Sequence, residues 1–94
     1  MDENKRKTSY SKQFKKDLKT AYKQEKDIDL LFDIVYQLAN DIKLGAKHKD
    51  HKLKGKLKHL RECHLTPDWL LVYEKPDEKR LILLELGSHS RLDF

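Results

Sequence analysis

The chain has 94 residues, 37% hydrophobic and 39% charged, with a formal net charge of +5, which predicts a single domain over residues 1–94 with one modest core. No apolar run approaches the roughly 20 residues of a transmembrane helix, and the charged N-terminus lacks the apolar segment of a signal peptide. The single cysteine cannot form an internal disulfide, so we expect a cytoplasmic protein without a membrane partner.

Two helices are predicted in the N-terminal half, after a short possible edge strand at residues 6–10. Ser11 is a typical N-cap residue for the first helix, and Asp27 is a candidate cap for the second. Apolar residues recur at helical spacing after each cap and would form the buried faces. They are Phe14, Leu18 and Ala21/Tyr22 in the first helix, and Ile28, Leu31, Ile34, Val35 and Leu38 in the second.

The C-terminal half is predicted to form three strands. Residues 40–53 carry no apolar period and indicate a loop, whereas the stretch 57–65 partly alternates. After a tight TPD turn, the apolar runs at 69–74 and 80–87 are typical of buried strands. The order β-α-α-β-β-β predicts an α+β fold, in which two N-terminal helices pack on one face of a mainly antiparallel sheet. The last two strands are expected at the centre of that sheet.

Positive charge is concentrated between Lys43 and Arg61, where eight Lys/Arg residues accompany one acid, Asp50. Residues 62–94 instead carry seven acids and four Lys/Arg residues. A concentrated basic segment in a small domain favours a polyanionic partner such as RNA. A solvated basic loop or an acidic protein partner would fit the same charge, so both alternatives remain open on charge alone.

Antiparallel pairing is expected to bring two histidine-bearing segments to one end of the sheet. His64 precedes the TPD turn, and Asp68 ends it. The last strand would leave the sheet where the preceding strand begins. His89, which follows the last strand, is therefore expected near His64 and Asp68.

Histidines and basic side chains at one sheet end suit RNA cleavage without a metal. The 2′-OH must lose a proton, the 5′-oxygen must gain one, and Lys or Arg can stabilise the charged phosphorane. Zinc is the alternative, because His48-x-x-His51 and Cys63-His64 with His89 could supply ligands. However, there is no CxxC pair, and adjacent strand residues 63 and 64 would point to opposite faces. We therefore predict no metal or other cofactor, and interpret Cys63 as a packing residue.

Three segments, HKDHKLKG (48–55), RECHLTPDWLLVY (61–73) and LGSHS (86–90), resemble in order and spacing the YafQ branch of the RelE-like bacterial toxins. That family has a microbial-ribonuclease-like α+β fold and belongs to type II toxin–antitoxin systems. The resemblance implies a ribosome-dependent, metal-free endoribonuclease that cuts translated mRNA in the A site of the 70S ribosome, contacting 16S rRNA. It also implies a cognate antitoxin, often with a ribbon-helix-helix DNA-binding part. The alternative is a non-catalytic RNA- or ribosome-binding protein of the same fold.

The resemblance also implies roles for particular residues. The catalytic residues that it implicates are His51, His64, Asp68 and His89. His89 is our choice for the general acid, while the other three would share the base and orienting roles. Trp69 either holds a base or packs. The residues predicted to contact RNA, partly on charge alone, are Lys52, Lys54, Arg61, Trp69, Arg91 and Phe94.

The chain departs from the family pattern at two places. Glu85 stands where members often carry an arginine, two residues before the glycine of GSH. If that arginine stabilises the phosphorane, then Arg61, Arg91 or a lysine must do so here. The tail reads HSRLDF rather than HSELF, so Arg91 replaces an acid and Phe94 lies one position later. These departures bear on activity rather than on fold.

Overall fold

The computed structural model describes residues 3–92, and these residues form one five-stranded sheet and two helices. The elements are β1 (Lys7–Tyr10), α1 (Lys12–Lys23), α2 (Ile28–Ala39), β2 (His51–Lys52), β3 (Arg61–Thr66), β4 (Trp69–Glu74) and β5 (Arg80–Gly87). Strand order is β1-β5-β4-β3-β2, with β1 parallel to β5 and the other neighbours antiparallel. The predicted α+β fold is therefore confirmed, with β4 at the centre and β5 beside it.

Both helices begin at the residues that the sequence indicates as caps. The Ser11 hydroxyl accepts a hydrogen bond from the Phe14 amide at 2.9 Å, and the Asp27 carboxylate accepts one from the Leu30 amide at 3.0 Å. Each bond satisfies an amide that lacks a partner within the first turn. Each helix has 12 residues. Within residues 3–92, no helix has the length and apolar character needed to cross a membrane.

The helices cover one face of the sheet and enclose the main core. Phe14, Leu31 and Ile34 pack there with strand residues that include Cys63 and Leu83. A smaller cluster lies on the opposite face, formed by Leu70, Val72 and Leu92 with the partly buried Leu53, Leu60 and Leu84. The strand β4 is therefore buried on both faces, as its continuous apolar run indicates. Burial also raises the pKa of the Cys63 thiol, so this side chain is an unreactive part of the core.

Asp41, just after α2, joins three separate parts of the chain. Its carboxylate accepts hydrogen bonds from Arg6 Nε and Lys75 Nζ, both at 2.8 Å, and lies 3.5 Å from Lys5 Nζ. The hydrogen bonds from Arg6 and Lys75 hold the pKa of Asp41 well below its ordinary value of 3.8. The network fastens the end of the helix layer to β1 and to the β4–β5 turn.

Replacing Asp41 with asparagine should destabilise the protein in a pH-dependent way. A carboxylate whose pKa is lowered by folding stabilises the native state above its unfolded pKa, and that contribution is lost as the pH falls towards the folded pKa. We expect Asp41→Asn to lower the free energy of unfolding by about 1 kcal/mol at pH 7, and by less at pH 3. Urea unfolding at both pH values measures the difference. An equal loss at both would show that the ionised carboxylate is not the stabilising group.

Candidate active site

The strand β3 sends its side chains alternately to the two faces of the sheet. Cys63 and Leu65 belong to the core beneath the helices. His64 pairs in register with Leu70, and Leu70 belongs to the cluster on the opposite face. His64 therefore lies on the face without helices, as the predicted separation of Cys63 from His64 requires.

The exit of β5 lies beside the start of β4, because Gly87 pairs with Leu70. The backbone amide of His89 donates a hydrogen bond to Asp68 Oδ1 at 3.0 Å. The His64 and His89 rings are tilted by 57°, with centroids 5.8 Å apart. The expected meeting of these three residues at one end of the sheet is therefore confirmed.

His51 approaches the same place from the basic segment through β2, the two-residue strand that pairs with β3. Its Nδ1 lies 2.6 Å from the Lys49 carbonyl oxygen. A carbonyl can only accept, so Nδ1 carries the proton, and Nε2 of the neutral ring has a free lone pair. His51 and His89 line one cleft of about 290 Å³, whose other lining residues are Lys52, Leu53, Lys54, Leu57, Glu62 and Leu92.

Glu62 is a cleft residue that the sequence pattern did not single out. Its carboxylate is buried beside His51, with Oε1 3.7 Å from Nε2, within ion-pairing distance of a protonated imidazole. A signal was available in the sequence, because Glu62 and His64 alternate onto the same face of β3. The Glu62 carboxylate therefore lies on the Nε2 side of the His51 ring, whose Nδ1 faces the Lys49 carbonyl oxygen.

Arg61 does not face the cleft. It pairs in register with Tyr73, and its Nε donates to the Tyr73 hydroxyl at 3.1 Å and to Asp50 Oδ1 at 3.4 Å. The Tyr73 hydroxyl donates to the same Asp50 oxygen at 2.5 Å, and burial together with this carboxylate raises the pKa of Tyr73. Arg61 thus lies outside the cleft and helps to anchor Asp50, the neighbour of His51.

Two further predicted RNA contacts are also placed elsewhere. Arg91 Nη2 lies 2.9 Å from Asp17 Oδ2, on the helix side of the sheet. Trp69 is only 3% exposed within the main core, so its ring packs and has no open face for a base. Neither Arg91 nor Trp69 lines the cleft shared by His51 and His89. Phe94 lies outside the described residues.

The electrostatics of the cleft depend on lysines. Within the described range 3–92, the cations that line it are Lys52 and Lys54, both exposed. Glu85 pairs in register with Val72, which places it on the same face as Glu62 and His64. At position 85, where members of the family often carry an arginine, this chain therefore places a negative charge on that face. Lys52 and Lys54 are consequently the groups at this cleft whose charge suits a phosphate.

His48 has a structural role beside the cleft. It is buried, and its Nδ1 lies 2.6 Å from the backbone oxygen of His64, which fixes the basic segment against β3.

Within residues 3–92, no three His, Cys, Asp or Glu side chains are grouped so that they could hold a metal ion.

Together, the fold and the cleft define a small α+β domain with a histidine-bearing basic cleft at one end of its sheet. Residues 6–93 match the family of bacterial toxins of type II toxin–antitoxin systems, YafQ, and the chain belongs to this family.

Similar proteins support this placement. The mRNA interferase toxin YafQ of Escherichia coli K12 is 40% identical over 84 residues, which cover 88% of this chain and 90% of that protein. The crystal structure of the E. coli DinJ–YafQ toxin–antitoxin complex matches with a TM-score of 0.86 at 38% identity, over 96% of this chain and 99% of that one. A metal-bound toxin from Helicobacter pylori matches with a TM-score of 0.83 at 52% identity, over 90% and 96% of the two chains.

Proposed function

We propose that this chain is an mRNA interferase toxin, a ribosome-dependent endoribonuclease that cuts translated mRNA in the A site of the 70S ribosome. The observation that carries the proposal is the shared cleft of His51 and His89, with His64 and Asp68 beside it. The 40% identity to a protein named mRNA interferase toxin supports the choice of substrate.

The geometry suggests a division of roles. His51 Nε2 accepts the proton of the 2′-OH, whose oxygen attacks the adjacent phosphorus. The bond from phosphorus to the 5′-oxygen then breaks, and His89 donates a proton to that oxygen. The products are a 2′,3′-cyclic phosphate and a 5′-hydroxyl. Asp68 holds the His89 backbone, and His64 lies next to the His89 ring.

No step in this scheme needs a metal. Lys52 and Lys54 supply positive charge for the phosphorane, while the two imidazoles transfer the protons. Because a relative from H. pylori has been obtained in a metal-bound form, the assay should include excess chelator. We expect cleavage to persist there.

The proposed partners are the ribosome with its mRNA and 16S rRNA, and an antitoxin. The E. coli relative forms a complex with the antitoxin DinJ. A chain with a net charge of +5 favours an acidic antitoxin segment, and we propose a cytoplasmic antitoxin with a ribbon-helix-helix DNA-binding part.

Induction of this chain alone in a bacterium tests the function. We expect growth arrest, with mRNA cut only where ribosomes translate it. The triple change of His64, Asp68 and His89 to alanine should relieve both effects. Arrest that survives this triple change would contradict the catalytic proposal. It would favour instead the second candidate, a non-catalytic ribosome-binding protein. Glu85 supports that candidate, because it places a negative charge on the same face of the sheet as His64.

A further inference from the structure

Asp17 is a buried carboxylate on α1 to which the cleavage mechanism gives no role. Its side chain is 6% exposed, and its carboxylate accepts two hydrogen bonds and forms one ion pair. Gln13 Nε2 donates to Oδ1 at 2.8 Å, and the Leu86 backbone amide donates to Oδ2 at 2.9 Å. Arg91 Nη2 reaches the same Oδ2 at 2.9 Å. Asp17 thus joins the helix layer to the end of β5, immediately before the segment that carries His89.

Arg91, which follows His89 in the chain, is the second part of this attachment. The atom that contacts Asp17 also donates to the Leu86 carbonyl oxygen at 2.7 Å. The guanidinium lies across Gly87, where an added Cβ would come within 2.5 Å of Arg91 Nε. Any larger residue at position 87 would therefore displace the arginine.

The segment between Gly87 and Leu92 is a tight turn fixed at both ends. The Leu92 amide donates to the Ser88 carbonyl oxygen at 3.1 Å. The Leu92 side chain is buried in the smaller cluster, on the face of the sheet without helices. Arg91 is fixed on the helix face. His89 lies at the exposed tip of this turn, with its amide on Asp68.

We propose that Asp17 and Arg91 form a positioning pair that holds His89 at the cleft. This inference rests on the proposed function, because it presupposes that His89 acts in cleavage. It also gives a role to the arginine that replaces the acid often found in the family's tail. Arg91 acts through the backbone of the turn and touches no RNA.

The test is single-turnover cleavage of mRNA on programmed ribosomes with the toxin in excess. Arg91→Met is the main variant, because Arg91 is 46% exposed and its loss should leave the fold intact. Arg80→Met is the matched control: Arg80 lies at the other end of β5 and pairs with Asp77 at 2.8 Å, away from the cleft. Arg91→Lys keeps the charge, but it replaces the planar guanidinium that lies across Gly87 with a more strongly hydrated ammonium on a flexible stem.

We expect Arg91→Met to lower the saturating cleavage rate by about 10- to 100-fold, with little change in the toxin concentration that gives half the maximal rate. Arg91→Lys should lie between this variant and the wild type, and Arg80→Met should match the wild type. Hydrogen exchange of the His89 amide should accelerate in Arg91→Met and not in Arg80→Met.

Two results would overturn the positioning pair. One is a loss seen mainly as weaker, less salt-dependent ribosome binding, which would make Arg91 a phosphate contact. The other is wild-type cleavage and wild-type His89 exchange in Arg91→Met. Failure of the proposed function itself looks different: the wild type would then leave mRNA on programmed ribosomes uncut, while the exchange comparison would still test the pair.

Discussion

Replacing His89 with alanine is expected to slow cleavage of mRNA on the ribosome by about 10²- to 10⁴-fold, the usual contribution of a positioned general acid or base. Without the imidazole, the departing 5′-oxygen loses the proton donor that the proposed mechanism assigns to it. Because His89 is exposed at the tip of a turn, the fold should be unaffected. Single-turnover cleavage on programmed ribosomes measures the effect.

His59→Ala is the matched control for this variant. Like His89, His59 is exposed, but it lies in the basic segment 43–61 and does not line the cleft shared by His51 and His89. We expect it to cleave within about threefold of the wild type, a difference below 1 kcal/mol. Equal rates for His89→Ala and His59→Ala would remove His89 from the mechanism.

The largest effect on stability is expected for Phe14→Ala. Phe14 is fully buried between α1 and the sheet, and its ring centroid lies 5.2 Å from that of Tyr10. Loss of the ring removes apolar burial and leaves a cavity, which typically lowers the free energy of unfolding by about 3–5 kcal/mol. That is a large share of the roughly 5–15 kcal/mol available to a domain. Urea unfolding measures the loss.

Tyr22→Ala is the control for Phe14→Ala, because it removes an aromatic ring from the same helix at a position that is 59% exposed. We expect its free energy of unfolding to change by no more than about 0.5 kcal/mol. Similar losses of unfolding free energy in the two variants would mean that Phe14 does not pack α1 against the sheet. That result would also weaken the attachment of Asp17 to β5, since both residues belong to the buried face of α1.

Local signals in the sequence predict much of this architecture. Ser11 and Asp27 begin their helices because each side chain caps an amide within its own first turn. The meeting of His89 with Asp68 follows from the antiparallel pairing of two strongly apolar strands. By contrast, nothing in the sequence predicts β2, because a two-residue strand has no detectable period.

Long-range partner choice could not be read from the sequence. Arg61 and Arg91 both carry charge suited to phosphate, yet each contacts an aspartate outside its own strand or turn, Asp50 and Asp17 respectively. These pairings depend on which sheet face each arginine occupies and on what packs there. Burial of Trp69 similarly depends on the helix layer that covers its strand. Residue type and charge do not specify such neighbours.

The electrostatic character of the cleft follows from these placements. With Arg61 and Arg91 engaged elsewhere, Lys52 and Lys54 supply the positive charge beside Glu62 and the histidines. Lysine is a compact point charge, whereas arginine can bind a phosphate through two parallel hydrogen bonds. We therefore infer that this cleft depends more on proton transfer by histidine than on arginine-based charge stabilisation.

The chemistry of the cut mRNA ends tests the central claim most directly. Translated mRNA should be cleaved on purified ribosomes in excess chelator, and the ends of both fragments should be identified. Attack by the 2′-OH predicts a 2′,3′-cyclic phosphate, or the phosphate left by its opening, on the upstream fragment and a 5′-hydroxyl on the downstream fragment. A 3′-hydroxyl with a 5′-phosphate, or cleavage abolished by the chelator, would contradict a histidine-based, metal-free mechanism.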